Sequence, residues 1–195
     1  MDPLLVTAAN LVCWGSIAIV WIGGGMYNAV RAAQPVARGS NGRASTLLAI
    51  ALAAVTLIVG RSLGESYLAV DVIWVEVAGL AVLVASTLFA LWARLSLGTS
   101  WSIDARVGGD RRLRTSGPYS ITRHPIYTGL LGMLLGSSLL AGLGMWVVLV
   151  PLGLIVFELR IRLEERLLLA TFGDDYVRYR RDVPQLIPGL RLRGG

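Results

Sequence analysis

Hydrophobic residues follow one another in long runs along this chain, and charged residues are concentrated between the runs. The apolar runs cover positions 4–27, 44–60 and 70–92, and two shorter runs cover 126–141 and 143–157. A helix needs roughly 20 mostly apolar residues to cross a bilayer. The pattern therefore predicts an all-α integral membrane protein with about five transmembrane helices.

The stretch 126–157, which contains no charged residue, decides how the C-terminal half is arranged. As one helix it would be about 48 Å long, whereas the hydrocarbon core is about 30 Å thick. Gly142-Leu143-Gly144 in its middle has the composition of a turn. We therefore predict that the last two spans form a helical hairpin, which brings the residues on either side of 126–157 to the same face of the membrane.

The basic residues indicate which face that is. All 18 are arginines, and only Arg61 falls on the other predicted side. By the positive-inside rule, the N-terminus lies outside and the C-terminus lies in the cytoplasm. The formal net charge of +6 comes from arginines that flank apolar helices, which is typical of membrane proteins and argues against nucleic-acid binding. The first run lacks a basic n-region and a small-residue cleavage site, so we expect a retained anchor.

Two regions follow from this arrangement: residues 1–92, with three spans, and residues 93–195, with a polar loop, the hairpin and C-terminal helices. Cys13 is the only cysteine, so an intrachain disulfide and a zinc cluster are both excluded. His124 is the only histidine, and the carboxylates lack the spacing of metal ligands. The sequence predicts no metal site.

Charged residues return directly after the last apolar run, on a helix that continues from it. Arg160 and Glu164 are spaced i,i+4 and share one face, while Glu158, Arg162 and Glu165 share another. A solvated, salt-bridged helix end is the simpler explanation of either face.

Two motifs together change that interpretation. "GPYSITRHPIYTG" at 117–129 is followed, one hairpin's length later, by "RIRLEERLLLATFGDDYVRYRRDVPQLIP" at 160–188. This pair resembles the isoprenylcysteine carboxyl methyltransferases and phospholipid methyltransferases of membranes. The likeness covers about 95–188 and includes "LGTSWS", whereas the chain up to Trp92 matches only as hydrophobic spans. The resemblance implies an S-adenosylmethionine-dependent enzyme with its cofactor pocket at the cytoplasmic mouth of the last helices.

The resemblance also implies which residues hold the cofactor. Arg123 and His124 would bind its carboxylate, and the tyrosines would offer rings and hydroxyls. Pro125 would fix the start of the fourth helix. The full expected cofactor-binding set is Gly117, Tyr119, Arg123, His124, Pro125, Tyr127, Gly129, Glu165, Tyr176 and Tyr179. The two glycines in it would permit close backbone approach, and Tyr176 and Tyr179 would cap the pocket.

The catalytic roles implied by the resemblance fall on Arg160 and Glu164. Arg160 would hold an anionic acceptor, and Glu164 would orient the cofactor or substrate. A carboxylate acceptor is already ionised near pH 7 and needs no general base, whereas an amine or thiol acceptor would need one, for which Glu164 is the candidate. Many relatives have a basic residue where this chain has Asp182, so the role of that position stays open.

The leading hypothesis is methyl transfer to a lipophilic acceptor, most simply carboxylate O-methylation of the isoprenylcysteine type. Methylation of a lipid amine or thiol is the alternative within the family. Membrane sterol reductases share a His-Pro and tyrosine-rich layout and bind NADPH, but they favour Arg-Asp-Glu where this chain has Leu163-Glu164-Glu165. A non-catalytic scaffold is the third reading.

The composition bears on the host and on the acceptor. A chain free of lysine and rich in alanine, leucine, glycine and arginine is typical of a GC-rich bacterial genome. We therefore expect a bacterial inner-membrane protein whose acceptor, a small isoprenoid, lipid or other hydrophobic molecule, reaches the site sideways from the bilayer. The acceptor's identity, the methylated atom and the oligomeric state are left open.

Overall fold

Helices account for nearly all regular structure in the part of the chain that is described. The computed structural model describes residues 1–31, 72–97, 113–142 and 146–190. Within these ranges the helices are α1 (Pro3–Arg31), α2 (Ile73–Leu97), α3 (Pro125–Leu140), α4 (Trp146–Phe172) and α5 (Asp174–Asp182), and a 3₁₀ turn covers Gly117–Ser120. The predicted all-α fold is confirmed for these residues, which contain no strand.

Two of the predicted spans are helices long and apolar enough to cross a bilayer. Pro3–Gly24 and Ile73–Leu97 have mean hydropathies of 1.9 and 2.0, and α3 is a shorter apolar helix. The predicted span 44–60 lies outside the described residues. The number of membrane crossings therefore stays a prediction.

Two helices continue into segments that the hydropathy pattern separates from them. α2 extends to Leu97, so the first residues of the expected polar loop are its last turn, while 98–112 lie outside the described residues. α4 continues without interruption from the last apolar run to Phe172. Leucine, arginine and glutamate are strong helix formers, so a change from apolar to charged residues does not end a helix. Gly173, with φ of 51° and ψ of −124°, follows α4 in a positive-φ conformation that glycine adopts more readily than other residues.

α2 and α3 pack with their backbones close together. A Cβ atom on Gly136 of α3 would lie 2.7 Å from Leu83 Cα and 2.9 Å from the carbonyl oxygen of Gly79, both in α2. A Cβ atom on Gly79 would in turn lie 2.8 Å from Leu139 Cβ. Small residues let membrane helices approach closely and gain van der Waals contact. The two glycines thus set the separation of α2 and α3.

Polar side chains connect α1 to α3. Ser137 Oγ donates a hydrogen bond to Asn10 Oδ1 at 2.6 Å, and Trp14 Nε1 donates to Ser137 Oγ at 3.2 Å. Ser137 is fully buried. Polar groups inside an apolar bundle need such partners, because an unsatisfied group there is costly.

α3 and α4 run antiparallel. Gly153 near the start of α4 packs on Leu134 towards the end of α3, whereas Glu165 in the second half of α4 lies 3.3 Å from His124 at the start of α3. The bend begins at Gly142, whose φ is 77°, and residues 143–145 lie outside the described residues. This packing brings the two sequence motifs together.

Replacing Gly136 with alanine should destabilise the protein. The added methyl group meets backbone atoms of α2 that cannot rotate away, and overpacking of this kind costs about 1–3 kcal/mol. The matched control is Gly23→Ala in α1, where a Cβ atom meets nothing within 4 Å and alanine is the better helix former. Thermal unfolding in detergent should show a lowered Tm for Gly136→Ala only. Equal Tm values for the two variants would contradict the tight α2–α3 contact.

Candidate active site

A compact turn leads into α3. Gly117 adopts a φ of 64°, in the left-handed region that side chains avoid. The amides of Ile121 and Thr122 both donate to the carbonyl oxygen of Pro118, at 3.1 and 3.2 Å. Pro125 is the first residue of α3, a position at which a proline costs no helix hydrogen bond. His124 is thereby held at the N-cap of α3.

The segment 183–187, here named the C-terminal strap, lies across the start of α3. The amide of Arg123 donates to the carbonyl oxygen of Pro184 at 2.8 Å, and the amide of His124 donates to that of Gln185 at 3.2 Å. The first amides of a helix and those just before it have no partner within the helix. The strap supplies partners for two of them.

Arg123 connects three parts of the chain through its side chain. Its Nε donates to Glu165 Oε1 at 2.9 Å, and its Nη2 lies 2.8 Å from the same oxygen. Its Nη1 donates to the carbonyl oxygens of Arg180 and Val183, each at 2.8 Å. All three guanidinium nitrogens thus have protein partners. The expected contact between Arg123 and a cofactor carboxylate stays a prediction, and the geometry favours a structural role.

These contacts change the acidity of Glu165. Burial by itself would raise the pKa of this carboxyl group, but the hydrogen bond with His124 and the charge of Arg123 outweigh burial and lower the pKa to about 2. Glu165 is therefore ionised at every pH at which the protein is expected to work. Its charge is compensated within the fold.

His124 lies between two adjacent carboxylates. Its Nε2 is 3.3 Å from Glu165 Oε1, and its Nδ1 is 3.8 Å from Glu164 Oε2. Glu164 also accepts a hydrogen bond of 2.6 Å from the hydroxyl of Tyr127 and lies 3.8 Å from Arg160 Nη2. The Glu164 side chain is 38% exposed and that of Glu165 is 14% exposed. Glu164 is thus the more accessible carboxylate.

Two tyrosines of α5, Tyr176 and Tyr179, lie beside Arg123 and Glu165. Tyr179 donates its hydroxyl to the carbonyl oxygen of Tyr119 at 2.6 Å, and burial raises the pKa of Tyr179 to about 12. Tyr176 is fully buried, and among the described residues its hydroxyl has no hydrogen-bond partner. Burial, followed by the charge of Glu165, raises the pKa of Tyr176. Both hydroxyls remain protonated donors at neutral pH.

One of the expected cofactor-binding residues, Gly129, packs against α2. Its expected contact with a cofactor stays a prediction. A Cβ atom on Gly129 would lie 2.6 Å from Ala90 Cβ, so this glycine is needed for the packing of α3 on α2. Gly117 likewise has a conformational role through its positive φ. The remaining expected site residues cluster around Glu164 and Glu165, and they are Tyr119, Arg123, His124, Pro125, Tyr127, Arg160, Tyr176 and Tyr179.

The second charged face predicted for α4, made of Glu158, Arg162 and Glu165, forms only in part. Arg162 Nε donates to Glu158 Oε1 at 3.0 Å, but Glu165 turns towards Arg123 instead. Glu158 Oε2 accepts a hydrogen bond of 2.7 Å from Gln185 Nε2 of the strap. This contact was not predicted, although Gln185 is the one polar residue of the strap and could have indicated it.

Side chains that could bind a metal ion are dispersed over the described residues. No group of three or more His, Cys, Asp or Glu side chains there is placed to hold a metal ion. The prediction that the protein holds no metal stays a prediction. Two carboxylates, an arginine, a histidine and several phenols make up a donor set for organic groups with positive and negative charges.

Comparison with known proteins places this cluster in context. The family model described as phospholipid methyltransferase matches residues 74–175. A protein-S-isoprenylcysteine O-methyltransferase of Schizosaccharomyces pombe is 37% identical over 101 residues, covering 49% of this chain and 42% of that protein. The cobalt-zinc-cadmium resistance protein CzcN of Cupriavidus metallidurans is 37% identical over 84 residues, covering 43% of this chain and 38% of that protein. The chain thus spans less than half the length of these relatives.

The fold has a counterpart among solved structures. A eukaryotic intramembrane Ras methyltransferase, isoprenylcysteine carboxyl methyltransferase, aligns with a TM-score of 0.56 at 21% identity. The alignment covers 93% of this chain and 68% of that chain. At this identity the likeness concerns the fold, and it agrees with the predicted helical membrane architecture.

Removing Arg123 should be far more destabilising than removing a surface arginine. Arg123→Gln leaves the buried Glu165 charge without its main partner, which should cost about 3 kcal/mol in the free energy of unfolding. The control is Arg178→Gln, whose exposed pair with Asp175 should be worth no more than about 0.5 kcal/mol. Unfolding by dodecyl sulfate measures both. Similar losses would show that Arg123 is not the central contact.

The low pKa of Glu165 predicts a pH dependence of stability. A lowered pKa in the folded state stabilises the protein above the unfolded value of about 4.3. This contribution is lost as the pH falls through the folded pKa of about 2. The Tm difference between wild type and Glu165→Gln should be constant from pH 7 to about 5 and shrink below about 4.3. For Asp174→Asn at the exposed start of α5, the difference should stay near zero throughout. A Glu165→Gln difference that does not change with pH would contradict the ion pair.

Proposed function

Because the chain belongs to the phospholipid methyltransferase family, we propose that it transfers a methyl group from S-adenosylmethionine to a lipophilic acceptor. The observation that carries this proposal is the unequal pair of carboxylates on α4. Glu165 is held by Arg123 and His124, while Glu164 stays partly exposed beside Tyr127 and Arg160. One carboxylate thus maintains the site and the other is available to ligands.

The residues around Glu164 fit S-adenosylmethionine. This cofactor supplies an electrophilic methyl group on a sulfonium, and it also carries an amine, a carboxylate and an adenine. Glu164 suits the positively charged amine, which leaves Arg160 for an anionic acceptor. The hydroxyl of Tyr176 is buried beside the Glu165 carboxylate, so it supports the charged side of this cluster.

The protein's contribution to the reaction is mainly placement. Methyl transfer is an in-line displacement at carbon, so holding the two reactants in line supplies most of the rate enhancement. Tyr127 fixes the Glu164 carboxylate through its 2.6 Å hydrogen bond. Tyr127 itself is held because it lies in the first turn of α3, two residues after Pro125. The α3 start therefore sets the position of the ligand-facing carboxylate.

The acceptor determines whether a proton must also move. A carboxylate acceptor is ionised near pH 7, and Arg160 would hold it without a base. An amine or thiol acceptor would transfer its proton to Glu164. We propose a carboxylate as the acceptor, because two proteins similar to this chain, from Schizosaccharomyces pombe and Xenopus laevis, are protein-S-isoprenylcysteine O-methyltransferases. Amine or thiol methylation of a lipid is the alternative. The family match favours methyl transfer over the NADPH-dependent reductase.

The proposal includes the position of this site relative to the membrane. The antiparallel pair α3 and α4 would cross the bilayer as a hairpin, with His124 and Glu164 at its cytoplasmic end and the N-terminus of the chain outside. Water-soluble cofactor would enter from the cytoplasm, and the acceptor would arrive from the bilayer. The arginine-rich, lysine-free composition supports a bacterial inner membrane.

Glu164→Gln should lower the rate of methyl transfer by at least about 100-fold, because the neutral amide loses the charge that orients the ligand. Its Tm should match that of wild type, since this side chain is partly exposed. Asp175→Asn, an equal loss of charge on the surface of α5, should retain full activity. Rates are measured with radiolabelled S-adenosylmethionine. Full activity in Glu164→Gln would remove this residue from the catalytic set.

The same labelled donor, incubated with membranes and a lipid extract of the host, tests the function itself. Label should appear in the organic phase. Mild base should release it as volatile methanol if the product is a carboxyl methyl ester, whereas N-methyl and S-methyl products should survive. Absence of labelled product, together with absence of S-adenosylmethionine binding by calorimetry, would overturn the proposal.

A further inference from the structure

The outer side of α4 carries a continuous row of exposed leucines beyond the predicted span. Leu159, Leu163 and Leu167 are each more than half exposed, and their i,i+4 spacing places them on one face. Ile155, which belongs to the predicted span, is equally exposed and begins the same row. If this row contacts lipid at Ile155, the uninterrupted helix continues that contact past Phe157.

Arginines accompany the leucines on this side. Arg162 and Arg166 are exposed on α4 and, with Arg180 of α5, border a cavity of about 180 Å³. Glu165 and Leu169 complete the lining. Arg162 is paired with Glu158, and Glu165 is paired with Arg123 and lies 4.0 Å from Arg180. Since these two carboxylates face four arginines in all, Arg166 included, the cavity has an excess of positive charge. Its size and charge suit a phosphate group.

This surface adjoins the candidate active site at Glu165, whose Oε2 lies 4.0 Å from Arg180 Nε, but it faces away from Glu164. On an α-helix, residues two positions apart point in directions that differ by about 200°. Arg162 and Arg166 therefore both point away from Glu164, which lies midway between them in sequence. A molecule bound at the arginines would be out of reach of the residues proposed to hold the methyl acceptor.

We propose that this side of α4 binds an anionic phospholipid of the cytoplasmic leaflet. The phosphate lies in the cavity bordered by Arg162, Arg166 and Arg180, and the acyl chains lie along the leucine row. Apolar positions interleaved with arginines are typical of helices at the membrane interface, where the charged ends reach the headgroups. The charged half of α4 thus lies at headgroup depth. The proposal concerns lipid binding and does not rest on methyl transfer.

The first test compares two charge-matched double variants in nanodiscs that contain phosphatidylglycerol and phosphatidylcholine. Native mass spectrometry of the released protein gives the preference for phosphatidylglycerol. Each arginine near an anionic surface strengthens the attraction about fivefold, so Arg162→Gln with Arg166→Gln should lower the preference by about that factor or more. Arg178→Gln with Arg181→Gln on α5 should leave it unchanged. Equal effects of the two pairs, or no preference in wild type, would overturn the proposal.

The second test measures the depth of the leucine row. A nitroxide is attached to Leu163→Cys or, as control, to Arg178→Cys, each in a Cys13→Ala background. In anionic bilayers the label at 163 should collide more with oxygen than with a water-soluble nickel chelate, and the label at 178 should do the reverse. A water-like result at 163 overturns the proposal. So does low accessibility to both reagents, which would show that a second copy or another part of this chain covers the row.

Discussion

The contact between Arg123 and Glu165 is the constraint on which the rest of the site depends. Bringing two charges out of water is costly unless each finds nearly all its partners. Arg123 does so, because it binds one carboxylate oxygen and two carbonyl oxygens from the end of α5 and the strap. The contact joins three segments that are far apart in sequence. The start of α3 cannot move independently of α4 or of the strap.

This constraint gives two neighbouring glutamates different roles. Successive residues on a helix differ by about 100° in direction, so Glu165 faces Arg123 while Glu164 faces Tyr127 and Arg160. His124 lies between them and contacts both. Rotating α4 or shifting it along its axis would break the Glu165 contact first. The position of Glu164 is thereby set by a residue that need not touch a ligand.

The sequence predicted the helices because long apolar runs are a local signal, and it predicted the cluster because a helical hairpin with its turn near Gly142 would bring the two motifs to the same end. It did not predict the contacts that these side chains make within the protein, and their contacts with a ligand stay predictions. Arg123 was assigned to a ligand because side-chain patterns do not reveal backbone carbonyls, and two of its acceptors are carbonyls. Gly129 was assigned to the cofactor because its contact with Ala90 depends on how α2 and α3 cross, which periodicity does not specify. The continuation of α4 past the apolar run was predicted correctly, because the i,i+4 spacing of its charged residues is typical of a helix.

The continuity of α4 explains why the polar cluster sits where the apolar helices end. One side of its second half must satisfy buried charges, which requires α3 and the strap, while the opposite side presents leucines that are poorly suited to water. A helix that met only cytoplasm would gain nothing from that row, and a helix entirely in hydrocarbon could not carry Glu164 and the arginines without large cost. The combination is stable only at the interface. There, the proposed water-soluble methyl donor and lipophilic acceptor would both have access to Glu164.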